Sequence, residues 1–249
     1  MPFTLAHPAA VLPLTKRFLN KLDFTALVVG SIVPDLGYIF SRFKLDEVSH
    51  GFPGSFTFCL PAGLLVLGIF HWMRDPFLKL LPARERNILQ AGFPKASANL
   101  PIIVASLLLG TWTHQLWDGF THRHGWFVLR SSLLQQNLYT LHYGTYSSHE
   151  LRVSMVIWYI SSLTGIFCMA NHYLHWLARE FPAMDATSSL RNRIQAAVLS
   201  ILIFPVEVFH HLYTGKIGNL VVLFGSASLL AGSLFLLGRN LKIESEPKL

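Results

Sequence analysis

The stretch Thr113-His114-Gln115-Leu116-Trp117-Asp118-Gly119-Phe120-Thr121-His122 sets an imidazole, a carboxylate and a second imidazole at intervals of four. On a helix that continues through Gly119, side chains four residues apart lie along one face. An imidazole nitrogen and a carboxylate oxygen one turn apart are good ligands for a divalent metal, zinc foremost. The same residues also read as the polar end of an interfacial helix, which Trp112, Trp117 and Trp126 would suit. Three more groups of the same chemical kind lie upstream: His7 before Pro8, Asp35 after Pro34, and His50 between Ser49 and Gly51. Each has an ordinary role in its own segment, as a helix start, a turn residue and a loop residue. Taken together they bring the ligand candidates to His7, Asp35, His50, His114, Asp118 and His122. A zinc hydrolase centre uses about three protein ligands and leaves a position for water, so the set has enough groups for two ions.

The elements that must bring these residues together are apolar. Residues 56–73, 100–117, 153–171, 194–213 and 217–238 contain no Lys, Arg or Asp, and each approaches the roughly 20 helical residues that cross a bilayer. The fourth is the least regular, with Pro205, Glu207, His210 and His211 near its end. Residues 8–20 and 24–33 are shorter apolar runs, and a re-entrant helical hairpin over residues 1–35 fits them better than a span. Such a hairpin returns the chain to its starting side and sets His7 near Asp35. The expected architecture is an all-α integral membrane bundle, residues 1–249 forming one domain of about five transmembrane helices plus the hairpin. No basic segment precedes an apolar one at the start, so a cleaved signal peptide is not expected.

Composition agrees with a bilayer environment. Hydrophobic residues make up 52% of the 249 and charged residues 13%, where a soluble domain carries about a quarter charged. Mean hydropathy is +0.44. A soluble enzyme is thereby excluded. Net charge is +7, but the basic residues are dispersed among the connections, which argues for membrane orientation and against nucleic-acid binding. If the hairpin tip, the connections 74–99 and 172–193 and the tail share one side, that side carries 14 of the 20 Lys and Arg residues. The positive-inside rule makes it cytoplasmic, with the C-terminus. Nine of the 12 histidines then fall on the extracytoplasmic face. Cys59 and Cys168 lie in apolar stretches and supply neither a disulfide framework nor a zinc finger.

The remaining polar clusters carry less. Glu207-x-x-His210 is half of the carboxylate-bridged pattern of di-metal helical bundles, without its second half. His142, Ser147, Ser148 and His149 suit substrate binding or a polar loop equally, and His124 an interface. His172 and His175 fall on the basic side, as a snorkelling helix end would. Neither a nucleophile elbow, a P-loop nor a dinucleotide fingerprint occurs.

The opening Met1-Pro2-Phe3-Thr4-Leu5-Ala6-His7-Pro8-Ala9-Ala10, the Gly30-Ser31-Ile32-Val33-Pro34-Asp35 turn, Ser49-His50 with Phe52-Pro53-Gly54, and Thr113-His114 through Thr121-His122 with Gly125-Trp126-Phe127 resemble the bacterial membrane family known as domain of unknown function 4184. The order of His, Pro-Asp, His and His-x-x-x-Asp is in turn similar to that of membrane-bound metal-dependent hydrolases and, more distantly, of zinc-dependent phospholipases C. That resemblance implies His7, Asp35, His50, His114 and Asp118 as ligands. Two places depart from the hydrolase pattern: Leu36-Gly37 follows Pro34-Asp35 where a second acidic residue tends to stand, and a longer His-Arg-Gly-x-Thr-His stretch is reduced to His50-Gly51.

The functional expectation is a hydrolase using a divalent metal, zinc, and working on a phosphoester or lipid headgroup at the extracytoplasmic face. The nucleophile expected is water activated by the metal, because no serine or cysteine has an activating arrangement. Alternatives of other classes are a transporter using Glu207 and the histidines, against which no inverted repeat is visible, and a non-catalytic membrane scaffold with a structural polar cluster.

Overall fold

A computed structural model describes residues 4–17, 21–81, 83–92, 99–143 and 147–180. The expected spans 194–213 and 217–238, together with Glu207 and His210, lie outside the described residues. Two compact units divide the chain. One comprises Met1–Trp72 with Lys95–Gly165, and the other Met73–Pro94 with Ile166–Leu249. All six ligand candidates belong to the first.

Within that unit a 3₁₀ helix, Thr4–Val11, runs into α1 (Leu12–Arg17), and α2 (Phe24–Leu36) packs against the 3₁₀ helix. Asp23 caps α2: its extended backbone turns the carboxylate onto the Ala26 N–H at 2.8 Å, satisfying one of the orphan donors of the first turn. Pro34 and Asp35 are inside the last turn of α2, not in a turn after it. A 3₁₀ segment Gly37–Phe43 and the short α3 (Leu45–Ser49) lead to His50. A π-helical turn, Ser55–Cys59, opens into α4 (Leu60–Lys79), and α5 spans Ala83–Gly92.

The central helix is α6 (Leu100–Thr121), which continues through Gly119, and α2 packs along it. The approach is close because of two glycines. A Cβ on Gly30 would run into the Leu107 carbonyl, and one on Gly110 into the Leu27 carbonyl; small residues at a helix crossing let backbones draw together in this way. Thr111 Oγ1 donates to the Gly30 carbonyl at 3.3 Å, and the Asp23 N–H to Ser106 Oγ at 2.9 Å. Ala26, Leu67 and Leu107 form the apolar core beneath this crossing.

After α6 come a 3₁₀ turn at Val128–Arg130, α7 (Ser132–Gln135) and an antiparallel hairpin of β1 (Asn137–Tyr143) and β2 (Ser147–Arg152). The hairpin departs from the all-α expectation. It falls in a connection with no 3.6-residue apolar repeat, where Tyr139, Thr140 and Tyr143 favour extended backbone. His142 pairs with Ser148 and His149 with Leu141 in its ladder.

The long α8 (Val153–Glu180) follows. In the second unit Ala170 and Leu174 are buried, and Arg74 bonds Asp75 and the Gln90 carbonyl.

The described residues include two helices long and apolar enough to cross a membrane, Ser55–Lys79 and Val153–Trp176. They contain the expected spans 56–73 and 153–171. On the first, Leu65, Ile69 and Trp72 stand exposed, as side chains facing lipid tails do. The helix over the expected span 100–117 is not one of the two; His114, Gln115 and Asp118 make its second half polar.

Candidate metal centre

Six side chains from four segments meet at the C-terminal end of α6. His114 and Asp118 are a turn apart on α6, with Nε2 and Oδ2 at 3.2 Å, and His122 at its C-cap sets Nδ1 3.4 Å from Asp118 Oδ1. The i, i+4 face predicted from spacing is therefore formed. Asp35 comes from the last turn of α2, His7 from the 3₁₀ helix, and His50 from the end of α3.

The segment bearing His50 is clasped from two directions. Ser49 Oγ donates to the Pro34 carbonyl at 2.7 Å, tying His50 to the backbone beside Asp35. Gln115 Nε2 donates to the carbonyls of Ser49 and Gly51, each at 3.0 Å, and its Oε1 accepts from Ser55 Oγ. Gln115 is thus a positioning residue that the sequence reading passed over, although it stands beside His114 in the same motif. Thr4 was missed as well: its hydroxyl donates to Asp35 Oδ2 at 2.6 Å, leaving Oδ1 to face the cluster.

Four atoms enclose one point. His50 Nε2 lies 3.3 Å from Asp118 Oδ2 and 3.5 Å from Asp35 Oδ1; His114 Nε2 lies 3.2 Å and 3.5 Å from the same two oxygens. The two Nε2 atoms are 3.4 Å apart. Hydrogen bonds of the N–H···O type prefer about 2.7–3.2 Å, so most of these separations are long for hydrogen bonding. They do suit pairs of ligands on one ion: two ligands bonded at about 2.1 Å and subtending the tetrahedral angle lie about 3.4 Å apart. Among the described residues, Asp35, His50, His114 and Asp118 are the group whose ligand atoms are close enough, within 4.8 Å, to hold a common metal ion.

Ring protonation strengthens the fit. His114 Nδ1 is 2.8 Å from the Ser31 carbonyl, and His50 Nδ1 is 2.8 Å from the Asp46 carbonyl. A carbonyl only accepts, so each Nδ1 carries a proton and each ring turns its Nε2 inward. Metal-bound histidines are oriented by such outer contacts. Two unprotonated Nε2 atoms facing at 3.4 Å would repel, so the space among them and the carboxylates holds either a proton or a metal ion. Burial lowers the basicity of His50, but the facing carboxylates of Asp118 and Asp35 outweigh it and raise its pKa to about 9. A divalent ion and protons therefore compete for that nitrogen.

Both oxygens of Asp118, Oδ1 of Asp35, both ring nitrogens of His7 and Nε2 of His122 are buried without a hydrogen bond. Buried polar atoms are nearly always satisfied, and a concentration of exceptions in one place is explained by an ion or water. The donor set and its geometry fit a divalent metal.

Of the other histidines read from sequence, His124 is exposed on the turn after α6, and His172 and His175 lie on α8 in the unit that does not hold the cluster. Trp117 packs its edge against His7 at 5.4 Å and donates its indole N–H to Ser161 Oγ, so the tryptophan reading as a purely interfacial residue is incomplete.

The family described as Domain of unknown function (DUF4184) matches residues 1–236. The chain belongs to that family. No curated protein and no solved structure matches it.

Proposed function

We propose that this protein is a membrane-embedded, metal-dependent hydrolase of phosphoesters or lipid headgroups, with its centre on the extracytoplasmic side. The observation that carries the reading is the pair of carbonyl-anchored histidines converging with two carboxylates at metal-bonding separations. Asp35, His50, His114 and Asp118 would hold the ion. A bound divalent metal supplies Lewis-acid polarisation of a phosphoryl oxygen and a lowered pKa for water. What the chain itself contributes is orientation and shelter: the Ser31 and Asp46 carbonyls fix the rings, Thr4 fixes Asp35, and burial keeps competing water out.

An amphiphilic substrate is favoured by the surroundings. A cleft of about 430 Å³ is lined mostly by apolar side chains, Ala10, Leu116, Trp117, Phe120 and Ile157, with Thr113 and Thr121, and Trp117 also packs against His7. An acyl or isoprenoid chain could lie there while its headgroup meets the ion. The second reading, a non-catalytic scaffold, has one observation in its favour. Four protein side chains already converge on one point, the ligand number of structural zinc sites, whereas catalytic sites keep a position open.

The deciding experiment is release of headgroups from mixed phospholipid or isoprenoid-phosphate vesicles by the purified protein, before and after chelation and metal add-back. Metal-reversible release supports the hydrolase. Activity that survives complete metal removal overturns it, and bound metal with no turnover on any such vesicle shifts the assignment to the scaffold. Sidedness is tested separately, by labelling a cysteine placed at Ser131 with an impermeant thiol reagent in intact cells. Failure to label in intact cells, with labelling after lysis, would put the centre on the cytoplasmic side.

A further inference from the structure

Asp118 presents its two oxygens to different partners. Oδ2 faces His50 and His114, at 3.3 Å and 3.2 Å. Oδ1 faces His7 Nε2 at 3.6 Å and His122 Nδ1 at 3.4 Å. Neither of these latter histidines belongs to the four-ligand set around the first point. His7 is fully buried, its ring stacked on His114 at 3.7 Å between centroids, and neither of its nitrogens makes a hydrogen bond. An unpartnered imidazole buried against a carboxylate has no structural explanation in the packing, since apolar burial would be served better by a leucine or phenylalanine.

We infer that the centre is dinuclear, with Asp118 bridging a second divalent ion held by Asp118 Oδ1, His7 and His122. The separations on this side, 3.4 and 3.6 Å, again match two ligands of a common ion, about 3.4 Å apart for bonds of about 2.1 Å. The second position has three protein ligands against four in the first, so it is the one with room for water or substrate. His122 lies at its outer edge, with its side chain 23% exposed, while His7 closes its inner side at 0%. This division resolves the difficulty raised by the four-ligand set: the first ion is structural and the second is the open, catalytic one.

Charge points to the same arrangement and to the substrate class. With its imidazoles neutral the cluster carries two negative charges, from Asp35 and Asp118. One divalent ion brings it to zero; two leave an excess of +2, which attracts an anionic phosphoester and not a neutral ester. Paired metals about 3.5–4 Å apart are suited to clamping phosphoryl oxygens on either side of the scissile bond.

The inference rests on the metal reading above, and counting ions separates the two. Purified full-length protein in detergent is stripped with chelator, dialysed against zinc, and its metal measured by elemental analysis. Manganese-loaded protein is examined in parallel by electron paramagnetic resonance. The expected result is two equivalents of zinc per chain and an exchange-coupled manganese spectrum. His122→Asn and His7→Gln should each leave one equivalent and an uncoupled manganese signal. The retained equivalent also reports that the variant has folded, and His122→Asn, at the accessible edge, guards against collapse of the buried His7 variant. One equivalent in the wild type, unchanged in both variants, overturns the second position and leaves the first standing. No bound metal in the wild type overturns both.

Discussion

The four histidines of the cluster fall into two pairs that differ in how they are held. His50 and His114 each donate Nδ1–H to a backbone carbonyl, at Asp46 and Ser31, so ring angle and tautomer are set before any ion arrives. His7 and His122 have no such anchor: His7 is fixed by packing against His114 and Trp117, and His122 by its place at the end of α6, with a 3.5 Å contact from Thr121 Oγ1 to Nδ1. Preorganised ligands lose less freedom on binding, and outer contacts of this kind are worth about 10–100-fold in metal affinity. The comparison teaches that a shared carboxylate can serve a rigid, tight position and an adaptable, weaker one. The tight ion would hold α2, α3 and α6 together, and the weaker one would exchange or meet substrate.

Removing the shared group should have the largest effect. Asp118→Asn is expected to abolish binding at both positions, measured as metal per chain after dialysis. If it removes only one ion, the bridge assigned to Asp118 is wrong.

Next come the anchored rings. His114→Ala and His50→Ala should weaken the tighter site by more than about 100-fold, beyond the range of outer-contact effects, whereas His175→Ala on α8 should leave metal content unchanged. Equal retention in all three would return His114, Asp118 and His122 to the interfacial reading.

The anchoring can also be disturbed without touching a ligand. Gly110→Ala forces α6 away from the Leu27 carbonyl of α2, with an expected cost of about 1–3 kcal/mol for overpacking. Because α2 carries Asp35, the tight position should lose affinity more than the open one. Thermal unfolding and zinc titration together read this out. Thr4→Val, which removes the 2.6 Å bond to Asp35 Oδ2, should lower affinity at the tight position by about 10-fold, the lower end for an outer contact.

The smallest expected effect is a difference in pH response. In the chelated protein, His50 has its pKa raised from 6.5 to about 9. A raised pKa means the folded state binds the proton more tightly, so this contribution to stability is complete below about pH 6.5 and is lost as pH rises through about 9. In the loaded protein the ion replaces the proton, and binding tightens as pH rises over the same interval. Melting temperatures of chelated and loaded protein across this window should therefore diverge with increasing pH. Parallel curves would mean that His50 does not bind the ion.

Much of this could be read from the chain before any coordinates. The spacing of His114, Asp118 and His122 requires a common face once the helix continues, because 3.6 residues per turn is a property of the backbone alone. The apolar stretches at 56–73 and 153–171 likewise fixed two long helices that contain them. His7 and Asp35 were placed near each other by the short hairpin, and the 3₁₀ helix and α2 do bring them to one cluster. The β1–β2 hairpin was not foreseen, since its residues lie in a connection whose strand pairing depends on the facing segment.

Local periodicity determined which residues were candidates; only the tertiary structure decided what each does. Nothing in the sequence separates His50 and His114 from His7 and His122. Their difference lies in the carbonyls of Asp46 and Ser31, and a carbonyl is present at every residue, so it leaves no mark in residue type. The same holds for the division of Asp118, whose Oδ1 and Oδ2 acquire different partners only when α2 closes on α6 through Gly30 and Gly110. A carboxylate has two equivalent oxygens until packing gives each a different neighbour.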